Sequence, residues 1–287
     1  MPRQSGPPAG HLPAADGGAG SLHPVSTRFV IIGGGPAGHT AATHAARLGA
    51  DVTLVERDVI GGAANLWDCI PSKTMIATGN AISWYRRTEG MGLETTEAEV
   101  DVAALTERIE SIKARLQRGT TKLLTSQGVN LVNGSARLLS AHEVEITPVD
   151  GVPQVVHADA VLLATGSRPR VPEWCQPDGE RILTTRDCYP PKQFPESITV
   201  IGSGVTGVEF VHMFASFGAK VTLVVSRQQV LPAKDPEVAA VLEEDFLQRG
   251  VRLLKGARAV AIEREATGDG GEQVVVRCDD GRVVHTS

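Results

Sequence analysis

An internal duplication constrains this chain more than any other feature. From Phe29 the sequence runs FVIIGGGPAGHTAATHAARLGADVTLVE, and from Ile198 it runs ITVIGSGVTGVEFVHMFASFGAKVTLVV. Gly33, Gly35 and Gly38 correspond to Gly202, Gly204 and Gly207 at a constant offset of 169. The same offset matches Gly49, Ala50, Val52, Thr53, Leu54 and Val55 to Gly218, Ala219, Val221, Thr222, Leu223 and Val224. Each copy reads as a buried strand, a glycine turn, a helix ending at glycine, and a second buried strand. That is a βαβ unit, in which the helix carries the chain back so that the strands run parallel. Two such units in 287 residues predict an α/β chain of two domains, since a domain takes roughly 100–200 residues.

The glycine turn between strand and helix has a physical job. Gly33 permits the tight turn, Gly35 lets the backbone approach a pyrophosphate, and Gly38 allows close helix–strand packing. The helix then points its N–H groups and positive dipole end at the phosphates. The turn Gly33, Gly35, Pro36, Ala37 and Gly38 is therefore expected to hold one dinucleotide, and Gly202, Gly204, Val205, Thr206 and Gly207 a second. The ends of the second strands differ. The first ends at Glu56, whose carboxylate suits both hydroxyls of an adenosine ribose. The second ends at Val225, followed by Ser226 and Arg227, where a guanidinium suits a 2′-phosphate. The plainer alternative is that Arg227 is a solvated surface residue.

Composition narrows the class. Gly 31 with aromatics at 4% suits tight strand-to-helix turns in an aliphatic-rich α/β chain. A net charge of −5 argues against nucleic acid or an anionic membrane as partner. Cysteines at 69, 175, 188 and 278 include no CxxC pair, which speaks against a disulfide scaffold or a structural zinc site, and no metal is expected. No run of 18 apolar residues predicts a membrane span, and cytoplasm follows by default. Residues 1–26 read as a disordered tail, with five Gly and five Pro among the first 24. The organisation expected is 27–170 for the first nucleotide domain and 171–287 for the second. Within them, 69–87 begins a helix near Pro71. Val102, Leu105, Ile109, Ile112 and Leu116 place an apolar stripe on a long helix. The stretches 129–146 and 251–284 read as short strands, the latter broken by turns at 268–271 and 279–281. His39 and His212 read as helix-surface or packing residues.

Four motifs in order resemble a known family, the FAD-dependent pyridine nucleotide-disulfide oxidoreductases. They are GGGPAG with Glu56, GGAANLWDCIPSK at 61–73, ATGSRP at 164–169 and GSGVTGVEF at 202–210. The resemblance implies two Rossmann-like domains with parallel sheets and β-meanders. It implies FAD in the first, with Gly61, Gly62, Ala63, Lys73, Ala164, Thr165 and Gly166 joining Glu56 and the first glycine turn. It implies NADPH or NADH in the second, with Ser226 and Arg227 beside the second turn. In the family, the lysine matching Lys73 lies beside the flavin and pairs with the glutamate matching Glu209. That agrees with elementary electrostatics, since a cation there stabilises an anionic reduced ring. The alternative is two unrelated exposed charges.

The departures from the family carry as much weight. Disulfide-reducing members hold two cysteines in GGxCxxxxC, but here the first is Ala64 and only Cys69 is present. A dithiol relay needs both sulfurs. Cys69 is then either a small residue packed near the flavin or a lone thiolate or sulfenic-acid centre. Together with DGERILT at 178–184, this looks like the disulfide-lacking NAD(P)H–quinone reductases of lipoamide dehydrogenase type. The catalytic candidates are Lys73, Glu209 and Cys69, and the expected acceptor is a quinone. Two alternatives are a non-catalytic nucleotide-binding protein and a degenerate disulfide or metal-ion reductase using Cys69 alone. Family members also continue into a last strand of the second domain and a dimerisation domain. A truncated form of a homodimeric protein is therefore expected.

Overall fold

The computed structural model describes residues 26–86, 88, 91–92, 99–268 and 270–287. The tail expected over 1–26 lies outside them except for residue 26, as do residue 87 of the expected helical segment and residue 269 of the expected turn. The chain divides into two compact units, one of residues 1–70 with 110–168 and the other of 71–109 with 169–287.

In the first unit, β1 (Arg28–Ile32), α1 (Pro36–Arg47) and β2 (Asp51–Glu56) form the first duplicated βαβ element. They are joined by α2 (Gly62–Leu66), β3 (Asn130–Leu138), β4 (Glu143–Pro148), β5 (Gln154–His157) and β6 (Ala160–Leu163). The six strands lie in the order β5-β4-β3-β2-β1-β6. β3, β2, β1 and β6 run parallel, while β4 and β5 continue antiparallel from the outer half of β3. The strand β3 changes partner at Gly134, where an added Cβ would stand 2.3 Å from the Thr147 carbonyl oxygen. Strand periodicity explains the unbroken apolar run of β1. Ile31 packs with Ala42, Leu54 and Leu124 on one face, and Val30 and Ile32 pack with Val55, Val132 and Ile146 on the other.

The second unit repeats the arrangement with β7 (Ser197–Ile201), α5 (Val205–Ser216) and β8 (Lys220–Val225). Next come α6 (Pro236–Gln248) and β9 (Arg252–Lys255), and the parallel order is β7-β8-β9. Asp235 caps α6 by accepting the Glu237 and Val238 amides at 2.8 and 3.4 Å, with Pro236 opening the helix. The strands β10 (Ala259–Ala266), β11 (Glu272–Cys278) and β12 (Val283–Thr286) form a separate antiparallel sheet. β7 is a sheet edge, and a cavity of about 890 Å³ beside it is lined by Ile198, Thr199, Ile201, Ile262 and Thr286 among others.

Two helices pass from one unit's residues to the other's, α3 (Cys69–Arg86) and α4 (Val102–Ser126). Sequence alone assigns 71–109 to the stretch 27–170, whereas these residues cluster with the second unit. The physical reason is the core they share: Met75, Leu105 and Ile109 are buried with Phe210, Val211 and Phe214. The stripe foreseen on the long helix is buried at Leu105 and Ile109 and half-buried at Ile112 and Leu116. No helix among the described residues is long and apolar enough to cross a membrane.

Candidate functional site

Each unit carries a glycine turn, and the two turns have the same backbone geometry. Gly33 and Gly202 hold φ of +109° and +107°. Gly35 and Gly204 are the N-caps of α1 and α5 in extended conformation. A Cβ on Gly38 would stand 1.8 Å from the Gly33 carbonyl oxygen, and one on Gly207 would stand 1.9 Å from that of Gly202. No side chain fits there, which is why each helix approaches its turn so closely. The first turn is closed further by Gly61 and Gly62. The Gly61 amide donates to the Gly34 carbonyl at 2.9 Å, and a Cβ on Gly62 would lie 2.6 Å from Gly35 Cα.

At the end of β2, Glu56 accepts the Gly34 amide at 2.6 Å and the Asp58 amide at 2.8 Å, one on each carboxylate oxygen. A carboxylate has about four acceptor sites, so both oxygens keep capacity for a ribose diol. Ala164, Thr165 and Gly166 follow β6 beside Gly33, with the Ala164 amide donating to the Ile32 carbonyl at 2.8 Å. Gly33, Gly35, Pro36, Ala37, Gly38, Glu56, Gly61, Gly62 and Ala63 thus come together with this exposed loop at the carboxyl ends of parallel strands. That is where open α/β sheets bind ligands. A backbone cradle that a Cβ would fill, with a carboxylate at its far end, fits the pyrophosphate and ribose of a dinucleotide.

The second turn brings together Gly202, Gly204, Val205, Thr206 and Gly207, with Val205 and Thr206 exposed at the start of α5. Two features differ from the first. Gly33 has the Ala164 carbonyl oxygen 2.3 Å from its notional Cβ, whereas Gly202 has open space among the described residues. Val225, at the position of Glu56, is fully buried in the core. Ser226 and Arg227 are exposed, and the Arg227 carbonyl accepts the Gly256 amide at 3.0 Å. At this strand end Ser226 and Arg227 are therefore exposed, and Val225 is not.

Lys73, in α3, and Glu209, in α5, are separated by 136 residues and form an ion pair with Nζ–Oε1 2.7 Å. Their side chains are 56% and 23% exposed, so the pair itself contributes about 0–1 kcal/mol. Its value lies in where it puts an ammonium. Cys69 opens α3 one turn before Lys73 and is exposed. Ala64, the position of the absent cysteine, lies in α2. From sequence His212 reads only as a helix-surface or packing residue, and Asn80 and Arg249 are not among the candidates. They form a polar cluster with α3 and α5, and no local pattern announces it, because the partners lie 132 and 37 residues apart.

Two duplicated βαβ elements with matched glycine turns define a protein of the two-dinucleotide class. The sequence matches the pyridine nucleotide-disulphide oxidoreductase family over residues 27–287, and the chain belongs to that family. It is 42% identical over 272 residues to a Mycobacterium tuberculosis protein named NAD(P)H dehydrogenase (quinone), covering 91% of this chain and 54% of that one. It is 33% identical over 245 residues to a dihydrolipoyl dehydrogenase of Chlorobaculum tepidum, covering 85% and 52%. The crystal structure of LpdA from Mycobacterium tuberculosis superposes with a TM-score of 0.82 at 40% identity, covering 91% of this chain and 57% of that one. The chain thus spans about half the length of the curated relatives it matches.

Proposed function

We propose that this chain is part of a flavin-dependent NAD(P)H oxidoreductase that passes electrons through FAD to a quinone without a redox disulfide. The observation that carries this reading is Ala64 standing where disulfide-reducing members need a cysteine, with Cys69 alone beyond it. A mixed disulfide formed by one thiolate must be resolved by a second, so a single thiol cannot complete the relay. The name of the 42%-identical relative supports a quinone as acceptor.

In this reading FAD lies on the first glycine turn, with Glu56 holding its ribose and Gly61 to Ala63 and Ala164 to Gly166 closing around it. NAD(P)H lies on the second turn, with Ser226 and Arg227 at its ribose. When bound, the flavin supplies the exchange of two electrons between a nicotinamide and an acceptor that touches the ring. The protein's own residues bind and orient. The free N–H groups of α1 and α5 meet the two pyrophosphates. Lys73 provides a fixed positive charge, and Glu209 holds its ammonium in place. A homodimer for the longer protein and a cytoplasmic location belong to the same reading.

The test is anaerobic turnover of the purified protein with NADPH, using a soluble naphthoquinone or lipoamide as acceptor. The protein should carry flavin absorbance and reduce the quinone but not lipoamide, and Cys69→Ala should keep the quinone activity. Comparable lipoamide turnover, or a loss of kcat on the order of tenfold in Cys69→Ala, would overturn the disulfide-free reading.

A further inference from the structure

The Lys73–Glu209 pair is too exposed to set the helices that carry it, since ion pairs in water hold their geometry weakly. Something else in the second unit must decide where Glu209 sits. One turn along α5 and two turns along α3 from that pair, His212 Nε2 lies 2.7 Å from Asn80 Oδ1, joining α5 to α3. On its other side, Arg249 at the C-cap of α6 reaches His212 Nδ1 at 3.0 Å, the His212 carbonyl at 3.1 Å and Ser216 Oγ at 2.9 Å. Arg249 is itself held by Asp245 at 3.3 Å and is only 17% exposed. A guanidinium can only donate, so Nδ1 carries the lone pair and the ring proton sits on Nε2, facing the amide oxygen of Asn80. Both ring nitrogens are therefore used with one sense each, and the imidazole has one orientation.

Beyond this point the helices pack closely and are linked by one hydroxyl pair. A Cβ on Gly79 would stand 3.1 Å from Ser216 Cβ, and Ser83 Oγ meets Ser216 Oγ at 2.9 Å. The side chains thus fix both the separation and the rotation of α5 on α3. We infer that His212, held between Arg249 and Asn80, is a positioning residue that sets the Glu209 carboxylate against Lys73. The inference rests on the proposed role of that pair, but its geometry can be tested without cofactor or acceptor.

Carbodiimide joins a carboxylate to an amine only where the two already touch, so the yield of the Lys73–Glu209 isopeptide, read by peptide mass spectrometry, reports their contact. The pair Lys255–Glu243, at 2.7 Å in the same unit, serves as the internal reference. His212→Phe keeps a ring and removes both nitrogens, and Asn80→Ala removes one partner from an exposed position. Each should lower the Lys73–Glu209 yield about threefold or more, because a proximity reaction falls steeply with misplacement, while the reference yield stays constant. His212→Gln, which can accept from Arg249, should recover part of the loss. Unchanged Lys73–Glu209 coupling in Asn80→Ala with the reference intact would overturn the inference. If His212→Phe misfolds and the reference falls too, Asn80→Ala alone decides. A failure of quinone reduction with normal coupling would count against the proposed function and leave this inference standing.

Discussion

Alanine at Gly33 and at Gly202 gives a matched experiment on the duplicated turns. Both positions hold nearly the same backbone, φ +109° and +107°, a region that costs an L-residue on the order of 1–3 kcal/mol. The surroundings differ. At Gly33 the new methyl would stand 2.3 Å from the Ala164 carbonyl oxygen and 2.7 Å from its carbon, backbone that cannot swing aside. At Gly202 it would enter open space among the described residues. Overpacking against fixed backbone adds about 1–3 kcal/mol. Gly202→Ala should therefore lose about 1–3 kcal/mol, and Gly33→Ala should lose that amount plus about 1–3 kcal/mol more. Equilibrium urea unfolding measures the losses. Amide exchange of peptides spanning β1 or β7 assigns each transition to its unit. Losses equal within about 0.5 kcal/mol would show that strain alone decides and that the Ala164 backbone does not press on the first turn.

Three further outcomes follow from burial and charge. Val225→Glu places a carboxylate in the core and should cost about 3–5 kcal/mol or prevent soluble expression, whereas Arg227→Ala should change stability by less than about 0.5 kcal/mol and raise KM for NADPH more than for NADH. A stable Val225→Glu that prefers NADH would place that side chain in the crevice. Burial, reinforced by Asp187, pushes the Cys188 thiol up to about 12, so iodoacetamide should alkylate exposed Cys69 well before Cys188, and mass spectrometry showing the reverse order would contradict the packing. The Arg28 guanidinium and then the Arg28 amide lower the Asp159 carboxyl from 3.8 to about 2. A lowered carboxyl stabilises the fold above its ordinary value and loses that contribution as pH falls through the lowered one. Asp159→Asn should thus flatten the stability profile between about pH 4 and pH 2, and an unchanged slope would remove the pair from the account.

The parts of the fold that were legible in the chain are those whose cause is local. Three glycines at fixed spacing are required by a φ near +108° and by a helix that passes within 2 Å of where a Cβ would be, so the pattern announces its own geometry. The unbroken apolar run of β1 and the 3.6 period along α4 are likewise visible without a structure. Glu56 was legible too, because its place at the end of β2 follows from the same count. Where distant segments choose each other, the chain is silent. Nothing local directs Met75, Leu105 and Ile109 to the core of the second unit, or turns Val225 inward while Glu56 remains half-exposed.

By itself, then, the sequence determined two nucleotide-binding βαβ elements, their glycine turns, the Glu56 carboxylate and the absence of a second cysteine near Cys69. Each depends on residues within one strand–turn–helix or one loop, where spacing along the chain is distance in space. Only the tertiary structure decided that Gly33 is pressed by Ala164 while Gly202 is open, and that Lys73 meets Glu209 at 2.7 Å. It alone joined Asn80, His212 and Arg249, since contacts between residues 132 and 37 positions apart depend on how side chains of three helices fill one shared space.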